Sequence, residues 1–129
     1  MEIKRRDYLQ ILKDSTGKTD LVKVITGMRR TGKTTLMLQH LDALRRAGIP
    51  DERICYIDLD LVGRTVRLEE LEEMMRPCLE FEGTHYVLID EIQDVEGWEL
   101  AVAMLVARRD SDVYITGSNS KMLSSELCT

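Results

Sequence analysis

Two Gly-Lys-Thr triplets are the residues of this sequence best suited to binding phosphate. One lies in DSTGKTDL, residues 14–21, and the other in GMRRTGKTTL, residues 27–36. A phosphate-binding loop has the pattern G-x-x-x-x-G-K-[ST] between a strand and a helix. Its backbone N–H groups and the helix N-terminus point at phosphate oxygens, its lysine reaches the outer phosphates, and its hydroxyl binds Mg²⁺.

The first triplet does not fit this pattern. Leu12 stands five residues before Gly17, where the loop needs its first glycine. Residues 4–13 are predicted to form an amphipathic helix and residues 21–26 a strand, so the triplet follows a helix and precedes a strand. This order is the reverse of the one that the loop requires. We therefore interpret STGKTD as a polar turn.

The second triplet fits at every position of the pattern. The apolar strand LVKVIT precedes it, and apolar residues at helical spacing follow it over residues 33–47. The predicted nucleotide-binding residues are Gly27, Met28, Arg29, Arg30, Thr31, Gly32, Lys33, Thr34 and Thr35. The side chains of Arg29 and Arg30 stay open to several interpretations: contact with the nucleotide, with a neighbouring subunit or with a partner, or exposed charge at the loop tip.

A pair of carboxylates follows the apolar strand HYVLID. Asp90 ends this strand and Glu91 comes next. Ligands of parallel α/β sheets bind at the carboxyl ends of the strands. There Asp90 could hold the water shell of Mg²⁺, and Glu91 could activate or orient an attacking water. A solvated turn is the alternative interpretation of the pair.

The segment DVYITGSNS carries a further polar candidate. It is predicted to be a strand over residues 112–117, so Ser118 and Asn119 would lie at the same sheet edge as Asp90. A neutral polar side chain at that edge could contact the γ-phosphate and steady the water. Gly-Ser-Asn is also ordinary turn chemistry, and that interpretation stays open.

The elements that must position these residues alternate in type. Strands with few polar residues, followed by helices of ten or more residues, are typical of an α/β fold with a parallel sheet covered by helices on both faces. We predict strands at 21–26, 53–59, 85–90 and 112–117, and helices at 33–47, 68–81, with a kink or restart at Pro77, and 97–109. A further helix is predicted to begin within SKMLSSEL.

Composition limits the class of protein. A chain of 129 residues with 43% hydrophobic residues is predicted to be one globular domain, and its net charge of −5 argues against a protein that mainly coats nucleic acid. Three cysteines without metal-ligand spacing indicate reduced thiols, with Cys55 and Cys78 in the core. The sequence contains no apolar run near 18 residues and no signal-peptide pattern, so we predict a cytoplasmic protein without a membrane span.

Three segments of the chain resemble those of a known family. VITGMRRTGKTTL, YVLIDEIQDVEGWE and YITGSNSKMLSSEL resemble the AAA-type ATPases (AAA+/ASCE superfamily) of bacteria and archaea in which the ATPase core precedes a C-terminal domain of unknown function. The resemblance runs from about residue 8 to the end. It implies a three-layer αβα P-loop NTPase core with strand order 5-1-4-3-2. Because family members are much longer, residues 1–129 are expected to be a partial core, lacking the last strand and the C-terminal lid, with 1–20 an N-terminal helix and turn.

The resemblance also implies a substrate, a metal and residue roles. It implies ATP, bound with Mg²⁺ near Thr34 and Asp90, and catalytic roles for Lys33 and Glu91 and for Ser118 or Asn119 as the sensor. A guanine-reading Asn/Thr-Lys-x-Asp run is absent from the sequence, which agrees with ATP. The segment expected to supply an arginine finger would lie beyond Thr129.

Three functions follow from these observations. The first is an Mg²⁺-dependent ATPase that switches or moves an unknown protein partner, with a homo-oligomer as one assembly that stays open. The second is a nucleotide-gated interaction module with negligible hydrolysis. The third is a P-loop kinase, which fits less well because Asp90-Glu91 suits the activation of water and the sequence shows no separate acceptor or lid segment.

Nucleic-acid binding is supported only by scattered Arg pairs. Trp98 is either an anchor facing a partner or a helix-start residue packed on the sheet.

Overall fold

The computed structural model describes residues 14, 16–19, 22–26 and 32–117. In this part of the chain, four strands alternate with three α-helices and three short 3₁₀ turns. The strands are β1 (Val22–Thr26), β2 (Ile54–Asp58), β3 (His85–Asp90) and β4 (Ser111–Gly117). The helices are α1 (Lys33–Arg46), α2 (Leu68–Leu79) and α3 (Trp98–Arg108), and the 3₁₀ turns are Asp51–Arg53, Leu59–Leu61 and Ile92–Asp94.

The described strands form one parallel sheet in the order β1-β4-β3-β2. This α/β architecture confirms the predicted fold class, and the order agrees with the 1-4-3-2 part of the order that the family resemblance implied. The pairs β2–β3 and β3–β4 join strands that follow one another in the chain, and parallel pairing of such strands needs a crossover connection, which α2 and α3 provide. Helix α1 connects β1 to β2, which lie at the two ends of the described strand order. The strand boundaries differ from the predicted ones by at most one residue.

Helices cover both faces of the sheet, which explains why its central strands are so apolar. Helix α1 packs on one face, where Leu36 and Met37 meet Leu88 and Tyr114. Helices α2 and α3 pack on the other face over a larger core that contains Leu71, Val87, Leu105, Val113 and Ile115. Every residue of β4 is buried, as expected for a strand covered on both sides.

Helix α2 departs from the sequence prediction at its end. It finishes at Leu79 instead of residue 81, and it contains Pro77 without a break. Of the two predicted alternatives at Pro77, the restart is therefore wrong, and the kink stays a prediction. Proline removes one i→i−4 hydrogen bond. Since Pro77 lies in the last turn, few hydrogen bonds of the helix remain beyond it. The predicted helices at 4–13 and in SKMLSSEL lie outside the described residues.

Candidate functional site

The carboxyl edge of the sheet brings together polar residues from separate elements. Asp58 ends β2 and lies beside Asp90, which ends β3. Strand β4 ends next to β3 with Thr116 and Gly117, and α1 begins above this edge. The edge is the place where ligands of parallel sheets bind.

Lys33 of the second triplet is the first residue of α1. The preceding Gly32 has φ +90°, a left-handed conformation that glycine adopts without the steric cost of a side chain, and it lets the chain turn into the helix. Lys33 is 6% exposed, and its Nζ lies 3.2 Å from Oε1 of Glu91, which is also buried. The predicted phosphate-binding lysine and the predicted water-activating carboxylate therefore form a buried ion pair.

Thr34 and Asp90 are also in contact. The Thr34 hydroxyl donates to Oδ2 of Asp90 at 2.5 Å, and the Thr116 hydroxyl donates to Oδ1 of the same carboxylate. Thr116 in turn accepts a hydrogen bond from the backbone N–H of Glu91 at 3.0 Å. Asp90 is fully buried, and two hydroxyl groups satisfy its two oxygens. Sequence analysis missed Thr116; its position two residues before Ser118, at the end of an apolar strand, was the available signal.

The backbone at Glu91 has an uncommon conformation. Its φ of 63° and ψ of 51° are left-handed, which costs a residue with a side chain roughly 1–2 kcal/mol. The 3₁₀ turn Ile92–Asp94 follows at once, and the Gln93 amide donates to Oε2 of Glu91 at 2.6 Å. Strained backbone of this kind is concentrated at functional sites. Gln93 is a second residue that sequence analysis did not single out.

Asp58 makes the edge more acidic than the sequence analysis anticipated. Burial, together with the neighbouring Asp90 carboxylate, raises the pKa of Asp58. Burial and the same carboxylates raise the pKa of the Tyr56 hydroxyl to about 12. Burial alone would give the same direction, and the contribution of the neighbouring carboxylates adds to it.

The oxygen atoms at this edge suit Mg²⁺ carried by a phosphate substrate. Mg²⁺ prefers hard oxygen ligands and is usually bound through one or two carboxylates plus substrate phosphates. Thr34 and Asp90 present a hydroxyl and a carboxylate in direct contact. Within the described part of the chain, no group of three or more His, Cys, Asp and Glu residues could hold a metal ion. Thr34 and Asp90 therefore offer oxygen ligands of the kind that Mg²⁺ prefers.

The remaining residues and features predicted from the sequence are either outside the described part of the chain or located by the structure. Residues 27–31, Ser118 and Asn119 lie outside the described residues, so their roles stay predictions. Trp98 is 8% exposed and belongs to the core under α3, which supports the packed interpretation. Cys55 and Cys78 are buried free thiols, and burial raises the pKa of Cys55 to about 12. No helix in the described ranges is long and apolar enough to cross a membrane.

The first triplet lies at the opposite, amino edge of the sheet. The Gly17 N–H donates to Asp112 Oδ2 at 2.8 Å, and the Lys18 carbonyl accepts from Lys23 Nζ at 2.5 Å. Thr19 donates to the carbonyl of Arg109. Asp112 and Lys23, near the starts of β4 and β1, form a buried ion pair. The triplet is a turn hydrogen-bonded to the sheet, as the sequence analysis interpreted it.

Comparisons with known proteins agree with the fold. A family model described as an AAA domain matches residues 19–129. An uncharacterized protein of Haemophilus influenzae is 40% identical over 98% of this chain, which spans 32% of that relative. An uncharacterized protein of Methanocaldococcus jannaschii is 36% identical over 84% of this chain, which spans 23% of that relative. The chain therefore belongs to the AAA domain family, a family of nucleotide-binding, ATPase-like domains.

Proposed function

We propose that this chain binds Mg-ATP at the carboxyl edge of its sheet and hydrolyses it to drive a conformational switch in a protein partner. The observation that carries the proposal is the contact of two side chains of α1 with two carboxylates at the end of β3. Lys33 and Thr34 of α1 contact Glu91 and Asp90 at the end of β3. A lysine, a hydroxyl and two carboxylates are the groups that P-loop nucleotide hydrolysis uses.

Each of these residues has a role in the proposed reaction. The N-terminus of α1 and the Lys33 ammonium would bind the outer phosphates, since both are positive. Thr34 and Asp90 would hold Mg²⁺, which when bound neutralises charge on the phosphates. Glu91 would accept a proton from the attacking water or orient it. Its left-handed backbone aims the carboxylate back toward Lys33.

The partner side of the proposal rests on family membership. AAA domains are nucleotide-dependent units, and the two relatives, of which this chain spans 32% and 23%, have further chain that could contact a partner. We favour ATP hydrolysis over transfer of the phosphoryl group to an acceptor molecule. The reason is that Glu91 directly follows Asp90 and its carboxylate can activate water. We therefore propose an ATPase, with homo-oligomerisation as one route to a complete site.

A calorimetric titration of Mg-ATP into the chain tests the binding step. The variant Lys33→Ala removes the buried ammonium, and we expect about a hundredfold weaker binding, because charge-assisted hydrogen bonds contribute about 1.5–3 kcal/mol each. Lys18→Ala is the matched control, since Lys18 belongs to the other Gly-Lys-Thr and is exposed. Equal affinity in both variants would refute the proposed site. Chelation of Mg²⁺ by EDTA should weaken binding to the unmodified chain.

Release of inorganic phosphate tests the hydrolysis step. Glu91→Gln keeps the size of the side chain and removes its basicity, so we expect turnover to fall at least a hundredfold while Mg-ATP still binds. Turnover that survives this change would show that Glu91 is not the group that activates water. Binding without any turnover by the unmodified chain would instead favour the nucleotide-gated interaction module.

A further inference from the structure

Both oxygens of the Glu91 carboxylate are held, from different directions. Oε1 lies 3.2 Å from the Lys33 ammonium, which belongs to α1. Oε2 accepts a hydrogen bond of 2.6 Å from the amide of Gln93, which belongs to the turn after β3. One partner is thus a predicted phosphate-binding group, and the other belongs to the same turn as Glu91 itself.

The Gln93 contact is built into a packed turn. The left-handed backbone of Glu91 and the 3₁₀ conformation of Ile92–Asp94 bring a side chain two residues ahead back onto the carboxylate. Ile92 and Val95, on either side of Gln93, are 0% and 1% exposed, so core packing anchors the turn. The Thr116 hydroxyl fixes the backbone N–H of Glu91. The amide is therefore placed beside Oε2 by the fold.

The Lys33 contact is one that a nucleotide must compete with. A buried ammonium requires a negative partner, and Glu91 supplies that charge in this structure. The phosphates of a nucleotide carry more negative charge and would attract the same ammonium. The bond from Gln93 goes to the other oxygen and does not involve Lys33, so it can persist when Lys33 turns to the phosphates.

We infer that Gln93 is a positioning residue that holds the Glu91 carboxylate beside Lys33 before nucleotide binds and keeps it at the sheet edge afterwards. This inference rests on the proposed ATPase function and adds the residue that orients the Glu91 carboxylate. It predicts that loss of the Gln93 amide acts in opposite directions on two quantities. Affinity for nucleotide rises because the competing ion pair weakens, and turnover falls because the base is no longer oriented.

The variant Gln93→Met tests the inference, since methionine has similar length and volume but donates no hydrogen bond. We expect kcat to fall about tenfold, the lower end of the scale of one charge-assisted hydrogen bond. We expect the Kd for Mg-ATP to fall by less, about threefold, because the hydrogen bond affects Kd only through the ion pair of Glu91 with Lys33. Gln39→Met is the matched control, because Gln39 is an exposed glutamine on the outer side of α1. It should leave both quantities unchanged.

A double variant separates a direct effect from a general loss of structure. In the Glu91→Gln background the ion pair with Lys33 no longer exists, so adding Gln93→Met should not tighten binding further. Weakened affinity in Gln93→Met, or unchanged affinity, would overturn the inference, whether or not the chain shows turnover. An unmodified chain that does not bind Mg-ATP would instead refute the proposed function, so the two failures can be told apart.

Discussion

The two Gly-Lys-Thr triplets have the same three residues and lie at opposite edges of one sheet. Gly17 and Gly32 have nearly equal φ values, +86° and +90°. Lys18 is exposed and contributes its backbone carbonyl to a hydrogen bond with Lys23, whereas Lys33 is buried and its ammonium faces Glu91. The comparison teaches that the triplet by itself permits a tight turn, and that the elements around it decide whether the turn can bind phosphate.

The polar residues around the two triplets also differ in their hydrogen-bond and ion-pair partners. Asp112, at the amino edge, accepts from Gly17, Lys23 and the Tyr114 hydroxyl, which all belong to this chain and converge on one buried carboxylate. At the carboxyl edge, Lys33 and Thr34 are held by carboxylates that a phosphate or a metal could replace as partners. We therefore expect the amino edge to govern stability and the carboxyl edge to govern ligand binding.

The largest expected effect on stability is that of Asp112→Ala. This change leaves the Lys23 ammonium buried without its carboxylate, and breaking a buried ion pair in this way costs about 3–5 kcal/mol. Urea unfolding should show the loss as a lower midpoint. Asp110→Ala, at a more exposed carboxylate two residues earlier in the chain, should cost much less.

A second variant tests the amino edge if Asp112→Ala does not fold. Lys23→Met combined with Asp112→Leu replaces the ion pair by apolar groups, and that part of the change is often close to neutral. The Gly17 N–H and the Tyr114 hydroxyl lose their acceptor in both variants. The double variant should therefore be more stable than Asp112→Ala. Mg-ATP affinity should be unchanged in the folded variants, and a tenfold loss would show that the two edges are not independent.

Thr116→Val should affect stability and turnover together, because Thr116 belongs to the carboxyl edge. Valine has the same shape but cannot donate to Asp90 or accept from the Glu91 N–H. A buried donor left without its partner costs about 1–3 kcal/mol. Unfolding and phosphate release measured on the same preparation test this expectation. Thr84→Val, which changes a threonine before β3 at the amino edge, is the control. If Thr116→Val lost stability but kept normal turnover, the assigned position of Thr116 at the site would be wrong.

The smallest expected effect is the most direct comparison of the triplets. Gly17→Ala and Gly32→Ala each place a side chain on a left-handed backbone, which costs about 1–2 kcal/mol. A Cβ at Gly17 meets no atom within 4 Å, so backbone strain should be the whole effect there. Unfolding should show similar losses in both variants, whereas Mg-ATP titration should show weaker binding only for Gly32→Ala. Weaker binding by Gly17→Ala would reject the assignment of the first triplet as a structural turn.

Sequence patterns predicted the described strands and helices well because apolar periodicity reports burial directly. Strand β3 was predicted with the observed bounds, β1 and β4 differ by one residue at their starts, and β2 is one residue shorter at each end. Helix α2 was predicted too long, since nothing local marked its end at Leu79. At the site, the motifs identified Lys33, Thr34, Asp90 and Glu91, which the structure brings into contact.

The residues that sequence analysis missed are those whose roles depend on partners far away in the chain. Thr116 and Asp112 lie inside a strand interpreted as apolar, and their partners are 26 and 89 residues distant. Gln93 is near Glu91 in sequence, but only the left-handed backbone at Glu91 turns its amide back onto the carboxylate. No local pattern records such a conformation in a residue other than glycine.

The sequence by itself determined the alternation of strands and helices, and with it the parallel sheet and the edge at which its strands end. It also determined which triplet has the spacing and context of a phosphate-binding loop. Only the tertiary structure decided which charges meet: Lys33 with Glu91 at one edge, and Lys23 with Asp112 at the other. The physical reason is that hydrophobic periodicity is a local property of the chain, whereas a buried ion pair depends on strand order and register between distant segments.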